Sequence, residues 1–103
     1  MESLFDFRGF DWDDGNAAKN LQKHDVTDGE CEEIFFNAPL LLAEDIKHSD
    51  IESRFAAFGV TASGRFLTVV FTRRKGLLRV ISARDMNRKE RTFYKQYEKN
   101  TEI

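Results

Sequence analysis

The sequence predicts an α+β domain in which two short helices precede an antiparallel sheet and a longer helix follows it. Apolar segments in the middle of the chain are joined by two short turn sequences, residues 62–65 and 73–76. Such links are too short for a parallel crossover, so the strands form an antiparallel meander. Capping-box patterns that begin at Thr27 and Asn87 start a helix on either side of it. Strands grouped between helices are typical of the α+β class.

The N-terminal part contains the first short helix. Residues 1–9 are interpreted as a loose leader. Asp13 or Asp14 can then cap a helix over residues 16–24, because a short side-chain oxygen accepts the free N–H groups of a first turn. Leu21 is expected to be the main apolar residue of this helix.

The second helix begins after Thr27, whose capping-box partner is Glu30. Residues 37–39, which include the only proline, end it. Helical spacing directs three apolar side chains inward, namely Cys31, Ile34 and Phe35.

Four segments predict the strands: residues 40–45, 54–61, 66–72 and 77–83. In the last of these, alternation places Leu78, Val80 and Ser82 on one face and Arg79 and Ile81 on the other.

The final helix covers residues 87–100. Phe93 and Tyr97 lie one turn apart in it and are expected to dock on the sheet. Another side of this helix carries a cationic stripe of Arg88, Arg91, Lys95 and Lys99.

The length of 103 residues suits one domain. It is assigned to residues 10–100, with a tail at 101–103. No apolar run approaches the roughly 20 residues of a membrane span, and Cys31 has no second cysteine to pair with. These features predict a cytoplasmic protein.

Charge is distributed unevenly along the chain. Residues 1–53 hold 14 acidic and 4 basic side chains, a net charge of −10, whereas residues 54–103 hold 4 acidic and 12 basic ones, a net charge of +8. Such asymmetry indicates a polyanionic partner for the basic half, and RNA is the expected one. The alternative is that the two halves neutralise each other within the fold.

The chain lacks the motifs of metal-dependent or phosphate-loop enzymes. His24 and His48 do not stand in a metal-ligand spacing, so neither a metal nor another cofactor is expected. RNA supplies its own nucleophile, the 2′-hydroxyl, and an enzyme needs only to orient it, move two protons and stabilise charge on phosphorus. The candidates for this work are Lys23, His24, His48, Arg54, Arg79, Arg84, Glu90 and Tyr94.

Each candidate also has a structural interpretation. Lys23 and His24 suit a helix C-terminus. His48 fits a solvated loop, and Arg54 could pair with Glu52 or Asp50. The others could serve the fold instead, Arg84 by an ion pair with Asp85 or an acid of the first half, Glu90 as a capping-box acid, and Tyr94 as a core residue.

The ordered series of segments resembles a known family. The opening has Phe10-Asp11-Trp12-Asp13, then Lys19-Asn20, then Lys23-His24 before Val26. The middle has Glu32-Glu33-Ile34-Phe35, His48-Ser49, Glu52, Arg54-Phe55 and Gly59. The ending has residues 79–84 followed by Glu90, Arg91 and Tyr94. This series is similar to that of the BrnT-type toxins and covers roughly residues 10–97.

The resemblance implies a RelE-like fold and a metal-independent ribonuclease toxin of a type II toxin–antitoxin pair that cuts RNA and inhibits translation. It also implies a ribbon-helix-helix antitoxin, a complex of two toxins with two antitoxins, and repression of the operon by that complex. Asp25 stands where the family has glycine, and Asp tolerates a positive φ better than most residues.

The leading hypothesis is therefore an endoribonuclease. Arg54, Arg79 and Arg84 would stabilise the phosphate, and Lys23, His24 and Glu90 would handle protons or orient the substrate, with Tyr94 stacking or positioning. RNA contacts are expected from Arg73, Arg74, Arg88, Arg91 and Lys95. The alternative is a catalytically inactive module that binds its antitoxin in a DNA-binding, autoregulatory complex.

Overall fold

A computed structural model describes residues 7–44 and 53–101, so the candidate His48 and the sequence around it lie outside the described residues. Within these ranges, three α-helices and four strands follow one another in the order α1–α2–β1–β2–β3–β4–α3, with one 3₁₀ turn, Ile34–Phe36, after α2. The strands form one antiparallel sheet in the order β1-β2-β3-β4. The α+β class and the RelE-like arrangement predicted from the sequence are confirmed. The bounds are α1 Lys19–His24, α2 Asp28–Glu33, β1 Leu41–Glu44, β2 Arg54–Val60, β3 Phe66–Arg74, β4 Leu77–Asp85 and α3 Arg88–Thr101.

Helix α1 begins three residues later than predicted. The Asp13 side chain accepts the Gly15 N–H at 2.8 Å and so closes a turn instead of capping a helix, and Ala18 adopts a left-handed φ of 59°. Leu21 was expected to be buried, but it is 45% exposed. The buried residue is Asn20, whose Oδ1 accepts the Ala83 N–H at 2.9 Å. Helix α1 therefore docks on β4 through a polar amide.

Residues 7–9, which the sequence analysis assigned to a loose leader, contact the sheet. The Arg8 N–H donates to the Gly76 carbonyl at 3.0 Å, and the Leu78 N–H donates to the Gly9 carbonyl at 3.0 Å. The Phe7 ring meets the Phe71 ring edge-on, with centroids 6.1 Å apart. These contacts attach this short segment to the β3–β4 hairpin.

Helix α2 confirms its predicted start. The Thr27 side chain accepts the Glu30 N–H at 3.0 Å, and the Glu30 carboxylate accepts the Thr27 N–H at 2.9 Å. Cys31 and Ile34 are fully buried, and Phe35 is half-buried against the core, as the helical spacing predicted.

The β3–β4 hairpin is longer than predicted. Lys75 and Gly76 form its two-residue turn with φ of 54° and 77°, and two positive values are the signature of a type I′ turn. Arg73 and Arg74, expected in the turn, continue β3.

The register shifts between Val70 and Phe71, so that Val70 pairs with Ser82 and Phe71 with Val80. Ile81 is the extra residue, as in a β-bulge. The alternation expected along β4 is therefore wrong beyond Val80, and the residue that joins the core is Ala83.

Helix α3 begins with the predicted capping box. The Asn87 Oδ1 accepts the Glu90 N–H at 2.8 Å, and Glu90 accepts the Asn87 N–H at 2.9 Å. The buried face of α3 is displaced by one residue from the predicted one. Phe93, which was expected to dock on the sheet, is 60% exposed, whereas Tyr94 is fully buried. Tyr97 is half-buried.

Gly59 in β2 provides a test of the packing between the sheet and the 3₁₀ turn. A Cβ at this position would lie 2.9 Å from the Ile34 Cβ and 3.3 Å from its carbonyl oxygen. Gly59→Ala is therefore expected to lower the free energy of unfolding by about 1–3 kcal/mol, the usual cost of overpacking. Gly29→Ala is the control: a Cβ there meets nothing closer than 3.9 Å, and alanine in a helix should stabilise by about 0.5–1 kcal/mol. Urea unfolding measures both, and a Gly59→Ala protein as stable as the parent would contradict this packing.

Candidate active site

The strand register places three rows of side chains on the face of the sheet that α3 borders. We call it the open face. Its outer rows are Phe58–Thr68–Arg84 and Arg54–Thr72–Arg79, and the middle row is Ala56–Val70–Ser82. Along β3 the outer rows are four residues apart, or about 13 Å at roughly 3.3 Å per residue. The middle row consists of partly exposed side chains, whereas Thr68 and Thr72 of the outer rows are buried. Arginines lie in the rows on both sides of it.

Arg84 is held in place by Glu90 at the start of α3. Its Nη1 lies 2.7 Å from Oε1 and its Nη2 lies 3.0 Å from Oε2, which is a bidentate pair. The Thr68 hydroxyl donates to the same Oε1 at 3.1 Å. These bonds fix the guanidinium while 41% of the Arg84 side chain stays exposed.

The pair also sets the charge of both groups. The Arg84 guanidinium, together with the Asn87 N–H, holds the pKa of Glu90 below its ordinary value, although partial burial opposes this. The Glu90 carboxylate in turn raises the pKa of Arg84. Glu90 is consequently a carboxylate at neutral pH, with three hydrogen bonds to its Oε1.

Arg79 lies at the opposite row and is paired with the N-terminal segment. Its Nη2 donates to Asp13 Oδ1 at 2.9 Å, and its Nη1 lies 3.5 Å from Asp11 Oδ2. The hydrogen bond from Arg79 is the main cause of the lowered pKa of Asp13. Arg54 of β2 lies in the same row, because Thr72 of β3 pairs in register with both Arg54 and Arg79.

Lys23 and His24 end α1 and are exposed. The next residue, Asp25, has a left-handed φ of 56°. Its N–H donates to the Leu21 carbonyl, and the Val26 N–H donates to the Asn20 carbonyl, both at 3.1 Å. The Asp25 bond, from the residue after the helix to the carbonyl four positions earlier, is that of the αL C-terminal motif, whose positive φ favours glycine. Asp25 thus adopts the positive φ that aspartate was expected to tolerate at this position.

Arg65, which sequence reasoning treated only as a turn residue, connects the end of α1 to the sheet. It forms a bidentate pair with Asp85, with Nε to Oδ1 at 2.7 Å and Nη2 to Oδ2 at 3.1 Å. Its Nη1 donates to the Asp25 carbonyl at 2.6 Å and lies 3.2 Å from Glu30 Oε2, and its Nη2 reaches the His24 carbonyl at 3.3 Å. The sequence feature that could have predicted the Arg65–Asp85 pair is the β3–β4 hairpin, because its pairing brings the start of β3 opposite Asp85.

The arrangement divides the predicted catalytic residues between two sides of β4. Asp85 pairs with Leu67 of the core, whereas Arg84 pairs with Thr68 of the open face. Successive side chains of a strand point to opposite faces. The backbone at the end of α1, at His24 and Asp25, is therefore connected through Arg65 and Asp85 to the side of β4 opposite Arg84.

The residues predicted to contact RNA do not share one surface. The Arg73 guanidinium lies 5.7 Å from the centroid of the Phe7 ring, on the core side of the sheet. Arg74 is near Asp13, whose pKa it helps to lower. The Lys95 ammonium lies 5.3 Å from the centroid of Phe66. Arg88 and Arg91 are exposed near the start of α3.

Tyr94 does not reach the surface. Its side chain is fully buried against the Phe66 ring, and its hydroxyl donates to the Pro39 carbonyl at 2.6 Å. Burial raises its pKa to about 12. The expectation that Tyr94 stacks on or positions RNA is therefore corrected, because the buried ring has no free face. The core-residue interpretation fits instead.

Cys31 is a free, buried cysteine. Burial is the main cause that raises the pKa of the Cys31 thiol to about 12, so it is not a reactive thiolate at neutral pH. Across residues 7–44 and 53–101, no three or more His, Cys, Asp or Glu side chains cluster in a way that could hold a metal ion.

Comparison with known proteins supplies the family. The model of a family described as ribonuclease toxin, BrnT, of type II toxin-antitoxin system matches residues 12–90. No curated protein matches the chain at a significant level. Among the helices in the described ranges, none is both long and apolar enough to cross a membrane.

Proposed function

Since the chain belongs to the BrnT family of ribonuclease toxins of type II toxin–antitoxin systems, we propose that it is an endoribonuclease that needs no metal and inhibits translation by cutting RNA. In this reaction the 2′-oxygen of one nucleotide attacks the adjacent phosphorus while the bond to the 5′-oxygen breaks. The 2′-hydroxyl gives its proton to a base, and an acid returns a proton to the leaving oxygen. The cytoplasm, where mRNA is translated, is the proposed location.

The observation that carries the proposal is the exposed Arg84 held by Glu90 beside the open face. A guanidinium fixed by one carboxylate retains further N–H donors for phosphate oxygens. Because it is oriented before substrate binds, it can stabilise the developing negative charge without reorganising. Arg54 and Arg79, in the other outer row, are proposed to contact a neighbouring phosphate of the same strand.

The remaining roles follow from the surroundings of each group. Glu90 carries a lowered pKa and an Oε1 that accepts three hydrogen bonds, so we assign it to orienting Arg84 rather than to accepting a proton. Proton transfer is assigned to Lys23 and His24, which are exposed. The reacting phosphate is therefore proposed to lie at the end of β4, where Arg84 bonds the Asp85 carbonyl and His24 helps to lower the pKa of the Asp85 carboxyl. Arg88, Arg91, Arg74 and Lys95 would add phosphate contacts along the bound RNA.

The test is controlled expression in a bacterium, with growth and RNA integrity followed in time. Growth arrest and RNA fragmentation are expected, and the purified protein should cut RNA in the presence of a metal chelator. The control is the His24→Ala, Lys23→Ala double variant at the same level of expression. Normal growth and intact RNA despite abundant folded parent protein would refute the enzyme proposal.

The family implies an antitoxin partner. We propose that it is a ribbon-helix-helix DNA-binding protein, that two toxins and two antitoxins assemble, and that the complex represses its own operon. The sequence of the adjacent gene is the cheapest check on the antitoxin type, and light scattering of the purified complex measures the stoichiometry.

A second function is favoured by one observation. Arg65, Arg79 and Arg84 are each ion-paired with carboxylates of the chain itself. Such pairs compete with phosphate for the same donors, as expected of a module that binds its antitoxin and cuts no RNA. Binding to the antitoxin without any RNA cleavage would establish this function in place of the first.

A further inference from the structure

A cavity of about 530 Å³ lies between the sheet and the first turns of α3. We call it the helix-side pocket. Its lining includes Leu41, Ala43 and Phe58 of the sheet and Lys89, Glu90 and Phe93 of the helix. Leu41 pairs with Phe58, which lies in the same row as Arg84. Because residues paired in register share a face of the sheet, the pocket belongs to the open face.

Phe93 at the margin of this pocket is an aromatic side chain that the core does not use. It is 60% exposed, whereas the next residue, Tyr94, packs against the Phe66 ring and is fully buried. Phe93 joins Leu41 and Phe58 in a contiguous apolar patch with charged residues at its rim. Patches of this kind mark binding sites.

The charges at the pocket favour a neutral occupant. Lys89 and Glu90 of its lining carry opposite charges, and Glu90 is also bonded to Arg84. Beyond the pocket the charge is positive, because Arg84 is 41% exposed and Arg91 is exposed near it. A nucleotide fits both conditions, since its base is neutral and aromatic and its phosphate is an anion.

Glu90 connects the pocket to the arginine site, because it lines the pocket and fixes Arg84 with two hydrogen bonds. Phe58 and Arg84 are two strands apart in one row, or about 10 Å at roughly 4.8 Å per strand. The partly exposed middle row, Ala56–Val70–Ser82, runs beside them. An RNA strand with a phosphate at Arg84 can therefore reach the pocket with a neighbouring base, since unpaired bases can be splayed out from the strand.

On the basis of the proposed ribonuclease function, we propose that the helix-side pocket is a subsite for one unpaired nucleobase of the RNA, next to the phosphate that Arg84 binds. Phe93 stacks on this base, and Leu41 and Phe58 form the apolar wall of the subsite. Stacking uses the face of the base, which all four bases have, so the subsite accepts different bases. It favours single-stranded RNA, because the bases of a duplex are already paired and stacked.

The experiment measures binding of the purified full-length chain to two single-stranded oligonucleotides of equal length. One carries bases, and the other has the sugar–phosphate backbone alone. Both lack the 2′-hydroxyl, so neither can be cut, and the salt concentration is held constant because phosphate contacts depend on it. The parent should bind the strand with bases at least about fivefold more tightly, the lower end of what one stacked base contributes. Phe93→Ala should lower the ratio of the two Kd values by at least about fivefold.

Two variants make this result specific. Phe93→Tyr keeps an aromatic ring and should keep the ratio of the parent. Phe36→Ala is the matched control, because Phe36 is 78% exposed but packs on Phe10 on the core side of the sheet. Its ratio should stay within about twofold of the parent, as for a site that acts independently. The thermal midpoint of each variant shows that it is folded.

The outcomes separate this inference from the proposed function, because binding is measured without cleavage. Equal affinity of the parent for both strands, or an unchanged ratio in Phe93→Ala, would overturn the subsite while RNA cleavage stands. A ratio that falls as far in Phe36→Ala would also overturn it. The same holds if Phe93→Ala weakens only binding of the antitoxin, since the pocket would then be a protein-docking site. A chain that shows the expected ratios and cuts no RNA would refute the proposed function alone.

Discussion

Replacing Arg84 with alanine is expected to lower the rate of RNA cleavage by about 10²–10³-fold, the usual loss when one preorganised group that stabilises transition-state charge is removed. Arg84 is the exposed guanidinium that Glu90 fixes with two hydrogen bonds. The effect should appear in kcat, because charge on phosphorus develops only in the transition state. Single-turnover cleavage of a labelled RNA measures it.

Two further variants make this result specific. Arg84→Lys should recover only a small part of the rate, because an ammonium lacks the planar fork that both Glu90 oxygens and a phosphate can engage. Lys99→Ala removes an exposed lysine near the end of α3 and should change the rate by no more than a few-fold. The thermal midpoint of each variant is measured to separate catalysis from folding. An Arg84→Ala protein that is folded and as active as the parent would remove Arg84 from the site.

Replacing Arg65 with alanine is expected to lower the free energy of unfolding by about 3 kcal/mol. Hydrogen bonds to charged groups contribute roughly 1.5–3 kcal/mol each, and the sum is reduced because a quarter of the side chain is exposed to solvent. The loss is large because this guanidinium joins β4, α2 and the end of α1. Urea unfolding measures it, with Arg88→Ala as the exposed control.

The pH dependence of stability gives a second measurement of the same contacts. Arg65 is the main cause of the lowered pKa of Asp85, whereas the Thr27 N–H is the main cause for Glu30. A carboxyl group whose pKa is lowered by folding stabilises the protein when the pH is above its pKa in the unfolded chain, which is 3.8 for Asp85 and 4.5 for Glu30. This stabilisation is lost as the pH falls through the lower pKa of the folded protein.

The parent is therefore expected to lose stability as the pH falls below 4.5, the ordinary pKa of Glu30. The decrease in stability with falling pH should be smaller in Arg65→Ala. Asp85 loses Arg65, the main cause of its lowered pKa, whereas Glu30 keeps the hydrogen bond from the Thr27 N–H. Identical acid profiles of the two proteins would contradict the role given to Arg65.

Local sequence determined the parts of this fold that depend on neighbours along the chain. Both capping boxes formed as predicted, because their hydrogen bonds join residues only three positions apart. The antiparallel meander followed from short turns that permit no other connection. The ordered motifs indicated the family that the family model then matched over residues 12–90.

The sequence predicted less well which side chains face the core, because a shift of one position exchanges a buried residue for an exposed one. Asn20 is buried instead of Leu21, since α1 meets a backbone N–H of β4. Tyr94 is buried instead of Phe93, since the Pro39 carbonyl accepts its hydroxyl. The bulge at Ile81 exchanges Ser82 for Ala83 in the core. The hydrophobic periodicity of a helix or a strand reveals neither these tertiary hydrogen bonds nor the bulge.

The sequence by itself determined the uneven charge of the two halves but not how the charges meet. Arg79 pairs with Asp13 across 66 positions of the chain, and Arg65 pairs with Glu30 across 35 and with Asp85 across 20. Only the tertiary structure decides such pairs, because each depends on the register of the sheet and on where α1 and α2 dock. The fold thereby pairs Arg65 and Arg79 of the basic half with acids of the first half, whereas Arg84 pairs with Glu90 of its own half and 41% of its side chain stays exposed.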